Sequence, residues 1–180
     1  MRTSIFVRAA TAGLILAPLA ACHGHDGKEH KADRAKIEAE VKALTGTIVD
    51  GYNGKNAEKA VSVDADDYLG MFHGFPNAVG KAADLAITRT QVTDPNVKLR
   101  VSNETVDVAR SGDLAVYRAT YSFTQTDPKT RQPVTETGNW VAGFKPQPDG
   151  ALKMAWSVVS DTPSATAPAA TPAPTPAPAK

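Results

Sequence analysis

Cysteine is nearly missing from this chain: Cys22 is the single thiol among 180 residues. An internal disulfide is thereby excluded, and a lone thiol in an exported chain needs another use. Long apolar runs are lacking as well. The longest, Ala9 to Leu19, is about half of what a membrane-spanning helix requires, and Pro18 would disturb a helix near its end. Neither sign of charge dominates, with 20 Lys plus Arg against 19 Asp plus Glu. Nucleic acid is therefore not an expected partner, since its recognition normally needs a clustered basic face. No assembled catalytic constellation stands out, and no cofactor is expected.

What is present first is an address. Arg2 and Arg8 give a positive start, the apolar stretch follows, and Leu19-Ala20-Ala21-Cys22 places small residues at a cleavage point. This is the pattern of a bacterial lipoprotein signal, with 1–21 as the leader and Cys22 as the lipidated first residue. The leader carries two of the basic residues and no acid, so its removal turns a formal charge of +1 into −1. Several acyl chains, at about 0.8 kcal/mol per buried methylene, would hold the protein at a membrane surface. His23 rather than aspartate follows the cysteine. By resemblance to enterobacterial sorting, that leans towards the outer membrane, facing the periplasm.

Residues 22–34 are polar, contain glycine and show no apolar periodicity, which reads as a flexible linker. His23, His25, Asp26 and His30 carry metal-binding groups, but a mobile segment bears the whole ordering cost of binding, so no metal site is expected. At the other end, 163–180 is a run of Ala, Pro and Thr, extended and unable to form a core. One domain of ordinary size, 35–162, lies between.

Within that domain, Ile37, Val41, Leu44, Ile48 and Tyr52 form one stripe of an amphipathic helix over 35–52. Asn56 is a candidate N-cap for a short second helix, Ala57 to Val63. A strand is expected near Tyr68 to Phe72, a turn at Gly74-Phe75-Pro76, and a third helix from Lys81 to Gln91. The rest alternates as strands do. Val97, Leu99 and Val101 give way to Val106 and Val108, a change of parity that predicts a bulge near Asn103. Strands over 114–126, 134–145 and 152–160 follow, the last two joined by the turn at Asp149-Gly150. Helices first and antiparallel strands afterwards argue for α+β, with the helices on one face of a curved sheet.

The strings DADDYLGMFHGFPNAVGKAAD, RSGDLAVYRATYSFTQTDP, ETGNWVAGF and DGALKMAWSVVSDTPS, in this order, resemble SnoaL-like and ketosteroid-isomerase-like members of the nuclear-transport-factor-two-like superfamily. The resemblance covers about residues 35–163. It implies a cone-shaped fold, three N-terminal helices packed on a strongly bent antiparallel sheet, with a pocket inside the cone. Dimerisation through the outer face of the sheet is common among such proteins, so a homodimer is a further expectation.

The superfamily includes isomerases, cyclases and dehydratases as well as proteins with no known reaction, so function must be argued from the site. The base position of the ketosteroid isomerases falls near Phe72-His73, and their late-strand acid near Ala142, which has no proton to donate. Ser157 stands where other members place an acid on the last strand. Asp66 and Asp67 are adjacent on a strand and point to opposite faces. His73 is the one catalytic candidate, because imidazole titrates near neutral pH. Tyr52, Tyr68, Tyr117, Tyr121, Trp140 and Trp156 are candidates for lining the pocket, whose natural guest is a small apolar molecule. With the usual carboxylates lost, the leading expectation is a tethered domain that binds a small ligand or a protein partner without catalysis. The alternative is an isomerase, cyclase or dehydratase using His73 and a pocket tyrosine.

Overall fold

The computed structural model describes residues 27–162. The apolar stripe read from the sequence builds the first helix, α1 (Gly27–Asn53), in which Val41 and Ile48 are buried and Ile37, Leu44 and Tyr52 pack against the same core. The helix begins earlier than the boundary at 35, so residues 27–34 are helical rather than spacer. That stretch is rich in Lys, Glu, Ala and Arg, strong helix formers that extend a helix without any apolar periodicity.

Gly51 lets α1 meet α2 (Ala57–Ala60), since a Cβ there would lie 2.5 Å from the backbone nitrogen of Ala60. Asn56 caps α2 by accepting from the Lys59 amide at 2.8 Å. A single 3-10 turn, Val61–Val63, then leads directly into β1 (Asp64–Phe72). This strand begins four residues before the expected Tyr68, and β2 (Ala78–Val79), which was not expected, forms a short hairpin with it. Gly80, at φ 84°, turns the chain into α3 (Lys81–Val92). Its amide donates to the Tyr68 carbonyl at 2.7 Å, which pins the start of α3 to β1.

The long strands are β3 (Lys98–Val108), β4 (Ala115–Thr126), β5 (Pro133–Pro146) and β6 (Leu152–Asp161). They complete a six-stranded sheet in the order β2-β1-β6-β5-β4-β3. All neighbours are antiparallel except β1 and β6, which run parallel, so the sheet is mixed. The class is α+β, a curled sheet with helices in its hollow.

Irregularities shape the curl. The β3–β4 register shifts between Ser102 and Thr105, with Asn103 at φ 54°, where the change of parity predicted a bulge. On β6, Met154 pairs with Phe144 and Trp156 with Gly143, leaving Ala155 as an extra residue. On β1, Asp64 pairs with Met154 but Leu69 with Trp156, so β1 holds three more residues than β6 over that interval. Asn53 ties the end of α1 to the start of β3, donating to the Leu99 carbonyl at 2.9 Å and accepting its amide at 3.0 Å.

Candidate functional site

Three helices do not fill the hollow of this sheet. Between them lies a cavity of about 580 Å³, within the usual range for small-molecule sites. Its walls are mostly apolar: Ile48, Val61, Ile87, Leu99, Phe123, Trp140 and Met154 all face it. Two polar groups interrupt them, one deep and one at the opening.

The deep group is a pair of carboxyls. Asp64, at the start of β1, is 2% exposed, and Asp84, in the first turn of α3, is 9% exposed. Both line the cavity. Burial pushes the Asp64 carboxyl up to about 8, with the neighbouring Asp84 charge adding to the rise and Lys81 and Lys153 opposing it. Burial likewise lifts Asp84 to about 6, and its hydrogen bond with Asp64 holds it back. With both groups ionised, neither Asp64 oxygen has a hydrogen-bond partner. A single proton gives one of them a partner, making Asp64 a donor to an Asp84 carboxylate; the two titrate as a pair that holds one proton near neutrality.

Hydroxyls surround the pair. Tyr68 and Ser157 lie 2.6 Å apart, oxygen to oxygen, and Tyr52 donates to Gln91 Oε1 at 2.7 Å with Thr88 Oγ1 at 3.4 Å. Burial raises both phenols well above their ordinary range, and the aspartate charges add to that. They are neutral donors at any physiological pH.

The group at the opening is His73. Its Nε2 lies 3.0 Å from Glu136 Oε1, to which Tyr121 also donates, and its Nδ1 lies 3.8 Å from Asp161 Oδ1. The His73 and Glu136 side chains are 35% and 31% exposed, and Phe75 and Pro76 form the adjoining rim, Phe75 at 73% exposure. The imidazole is thus oriented by a carboxylate.

Of the pocket candidates, Tyr52, Tyr121 and Trp140 line the cavity, whereas Tyr68, Tyr117 and Trp156 do not. Tyr68 reaches it only through Ser157. Tyr117 packs edge-on behind Trp140, centroids 5.2 Å apart, with its hydroxyl turned to Glu104 at 2.8 Å. The extra residue Ala155 resets the alternation of β6, so Met154 and Ser157 face inwards while the Trp156 indole lies across Gly143. Ala142 is buried and takes no part in the cavity wall.

The expectation that the hollow had lost its carboxylates is corrected by Asp64 and Asp84. Asp66 and Asp67 are exposed. A signal for Asp84 existed: Asp84, Thr88 and Gln91 stand at helical spacing and mark a polar stripe on α3, which the structure turns into the cavity. Cys22, His23, His25, Asp26 and the 163–180 tail lie outside the described residues. Among the described residues, no three or more His, Cys, Asp or Glu side chains converge to hold a metal ion, and no helix is long and apolar enough to cross a membrane.

By sequence, no protein family and no curated protein matches the chain. Its structure does find relatives. It is similar to the hexachlorocyclohexane dehydrochlorinase of Novosphingobium barchaimii, with a TM-score of 0.65 and 16% identity over 79% of this chain and 99% of that one. A ketosteroid isomerase-like protein of Erwinia carotovora matches with a TM-score of 0.58 and 18% identity, over 70% and 96% of the two chains. A nuclear-transport-factor-two-like protein of Novosphingobium aromaticivorans gives a TM-score of 0.61 and 18% identity, over 79% and 95%. The chain therefore has the nuclear-transport-factor-two-like cone fold, a scaffold that supports ligand binding or catalysis.

Proposed function

We propose that the domain admits a small, largely apolar molecule into the cone and moves a proton on it. The observation that carries this reading is the Asp64–Asp84 pair facing an apolar hollow. Two facing carboxyls out of water are costly, and groups displaced so far from their ordinary titration cluster at functional sites. Near neutral pH, Asp64 has a proton to give and Asp84 can receive one, the complementary pair that acid–base chemistry needs. His73, oriented by Glu136, is a second base at the opening. The reaction class is isomerisation or elimination through loss of a proton from carbon.

A direct test is the ring opening of a benzisoxazole, an uncharged aromatic probe whose only step is proton abstraction, followed by absorbance. The expected result is saturable turnover that the Asp64→Asn, Asp84→Asn double variant reduces by about a hundredfold or more, as for removal of a general base. Saturable binding of the probe with no turnover above buffer would reduce the reading to ligand binding alone. Cys22 and the leader complete the proposal: a lipid on Cys22 would hold the cone at the bacterial envelope membrane. Cys22→Ser should then release the protein from membranes, and unchanged membrane fractionation of that variant would remove the anchor from the account.

A further inference from the structure

The cavity has a marked asymmetry of charge. Asp64, Asp84 and Glu136 line it together with His73, yet no lysine or arginine does. Both Asp64 oxygens are buried without a partner. Lys81 and Lys153, the cations whose charge reaches Asp64, spend their ammonium groups on backbone carbonyls: Lys81 on those of Ser62 and Asp64 at 3.4 and 3.3 Å, Lys153 on that of Ser62 at 2.7 Å. Among the described residues, no lysine, arginine or histidine nitrogen lies within 4.0 Å of either carboxyl of the pair. The floor of the hollow thus holds carboxyls with no cation in contact with them.

Above that floor stand the rings of Tyr52, Phe72, Tyr121, Phe123 and Trp140. Aromatic faces attract cations as well as apolar bodies, most strongly where water is excluded. We infer that the guest of this cavity is an organic amine, a protonated nitrogen seated on Asp84, with Asp64 behind it, and an apolar body among the rings. This deepens the reading of the hollow as a small-molecule site and rests on it. A carboxylate or phosphate would meet like charge with no cation to hold it. An uncharged guest would leave one buried carboxylate uncompensated, whereas an ammonium paired with Asp84 neutralises it. The guest takes the place of a proton on Asp84, while Asp64 keeps its own, so the occupied site carries no net charge.

That exchange gives the pH dependence its sign. The groups facing the pair are Tyr52 from α1, Tyr68 from β1, Lys81 from α3 and Lys153 from β6, and His73 and Glu136 share the cavity. Amine binding therefore strengthens as Asp84 loses its proton, and a His73→Gln variant separates that effect from the imidazole at the opening.

The test is isothermal titration of the purified protein with phenethylamine, phenethyl alcohol and phenylpropionate, three probes that share one body. At about pH 8.5 the amine should bind at least about tenfold tighter than the alcohol, with the carboxylate weakest. Amine affinity should fall about tenfold towards about pH 5, in the His73→Gln variant as well, with an enthalpy near pH 6 that depends on the buffer's ionisation. Asp84→Asn, close in shape, should keep its circular dichroism and bind amine and alcohol alike. Alcohol binding as tight as the amine, or amine affinity flat across pH, would overturn the inference while leaving the small-molecule site standing. Failure of all three probes to bind would remove both.

Discussion

The floor and the opening of the cone handle the same chemical group in opposite ways. At the opening, Glu136 is partly solvated and receives both the Tyr121 hydroxyl and His73 Nε2. At the floor, Asp64 is sealed from water with no donor unless it carries its own proton. A carboxylate that is supplied with donors is structural glue and an orienting group. A carboxylate denied them is an unspent interaction, stable only by sharing a proton or by meeting a guest. The difference is why the proposed chemistry is placed not at the histidine that the sequence makes conspicuous, but beneath it.

The comparison can be broken most forcefully through pH. The carboxyls at the floor are raised in the folded state, so the folded protein holds their proton more tightly than the unfolded chain does. Their contribution to stability is therefore complete below about pH 4 and is lost as pH rises through about 6 and then about 8. Denaturant unfolding should show stability falling by a few kcal/mol across that window, and Asp64→Asn should flatten the fall. A slightly smaller loss is expected at the opening from Gly138→Ala. A Cβ there would lie 2.0 Å from the Ser160 carbonyl oxygen and 2.6 Å from Tyr121 Cε1, which forces β5 from β6 and should cost about 2–3 kcal/mol. Calorimetry would show it, with the pH slope set by the floor left intact.

Milder changes sharpen the contrast. Tyr121→Phe removes one donor from Glu136 and should cost about 1 kcal/mol, visible as a small shift in the denaturant midpoint. His73→Gln, at a half-open position, should change stability by no more than about 0.5 kcal/mol. Its effect should fall on probe turnover instead. A stability loss from His73→Gln as large as that from Gly138→Ala would mean that the opening is a packing element and the distinction between the regions is misplaced.

How far the sequence discloses each region follows from the range of the interactions. Local signals carry the elements: the stripe of α1, the cap at Asn56, the parity change at Asn103 and the turn at Asp149-Gly150 all mark structure within a few residues. The sites are not local. Asp64 and Asp84 stand twenty positions apart in sequence. They meet because β1 slips three residues against β6 and Gly80 docks the start of α3 on β1. Read alone, Asp84 is an ordinary acid at a helix N-terminus, where the dipole favours it, and Asp64 is one of three acids ahead of a strand. His73 was legible as a titratable group at a strand end, but Glu136 comes to it from the far side of the sheet. Trp156 was misread for a comparable reason, since one extra residue in β6 reverses which face its indole takes.

The central claim is that Asp64 and Asp84 share a proton inside the hollow, and carbon-13 detected titration of the aspartate side chains measures it directly. Two carboxyl carbons that vanish from the titration pattern in Asp64→Asn, Asp84→Asn should move together, with midpoints near about 6 and about 8. If both carbons instead finish titrating near about pH 4, as exposed aspartates do, the pair is open to water and the account of the floor is wrong.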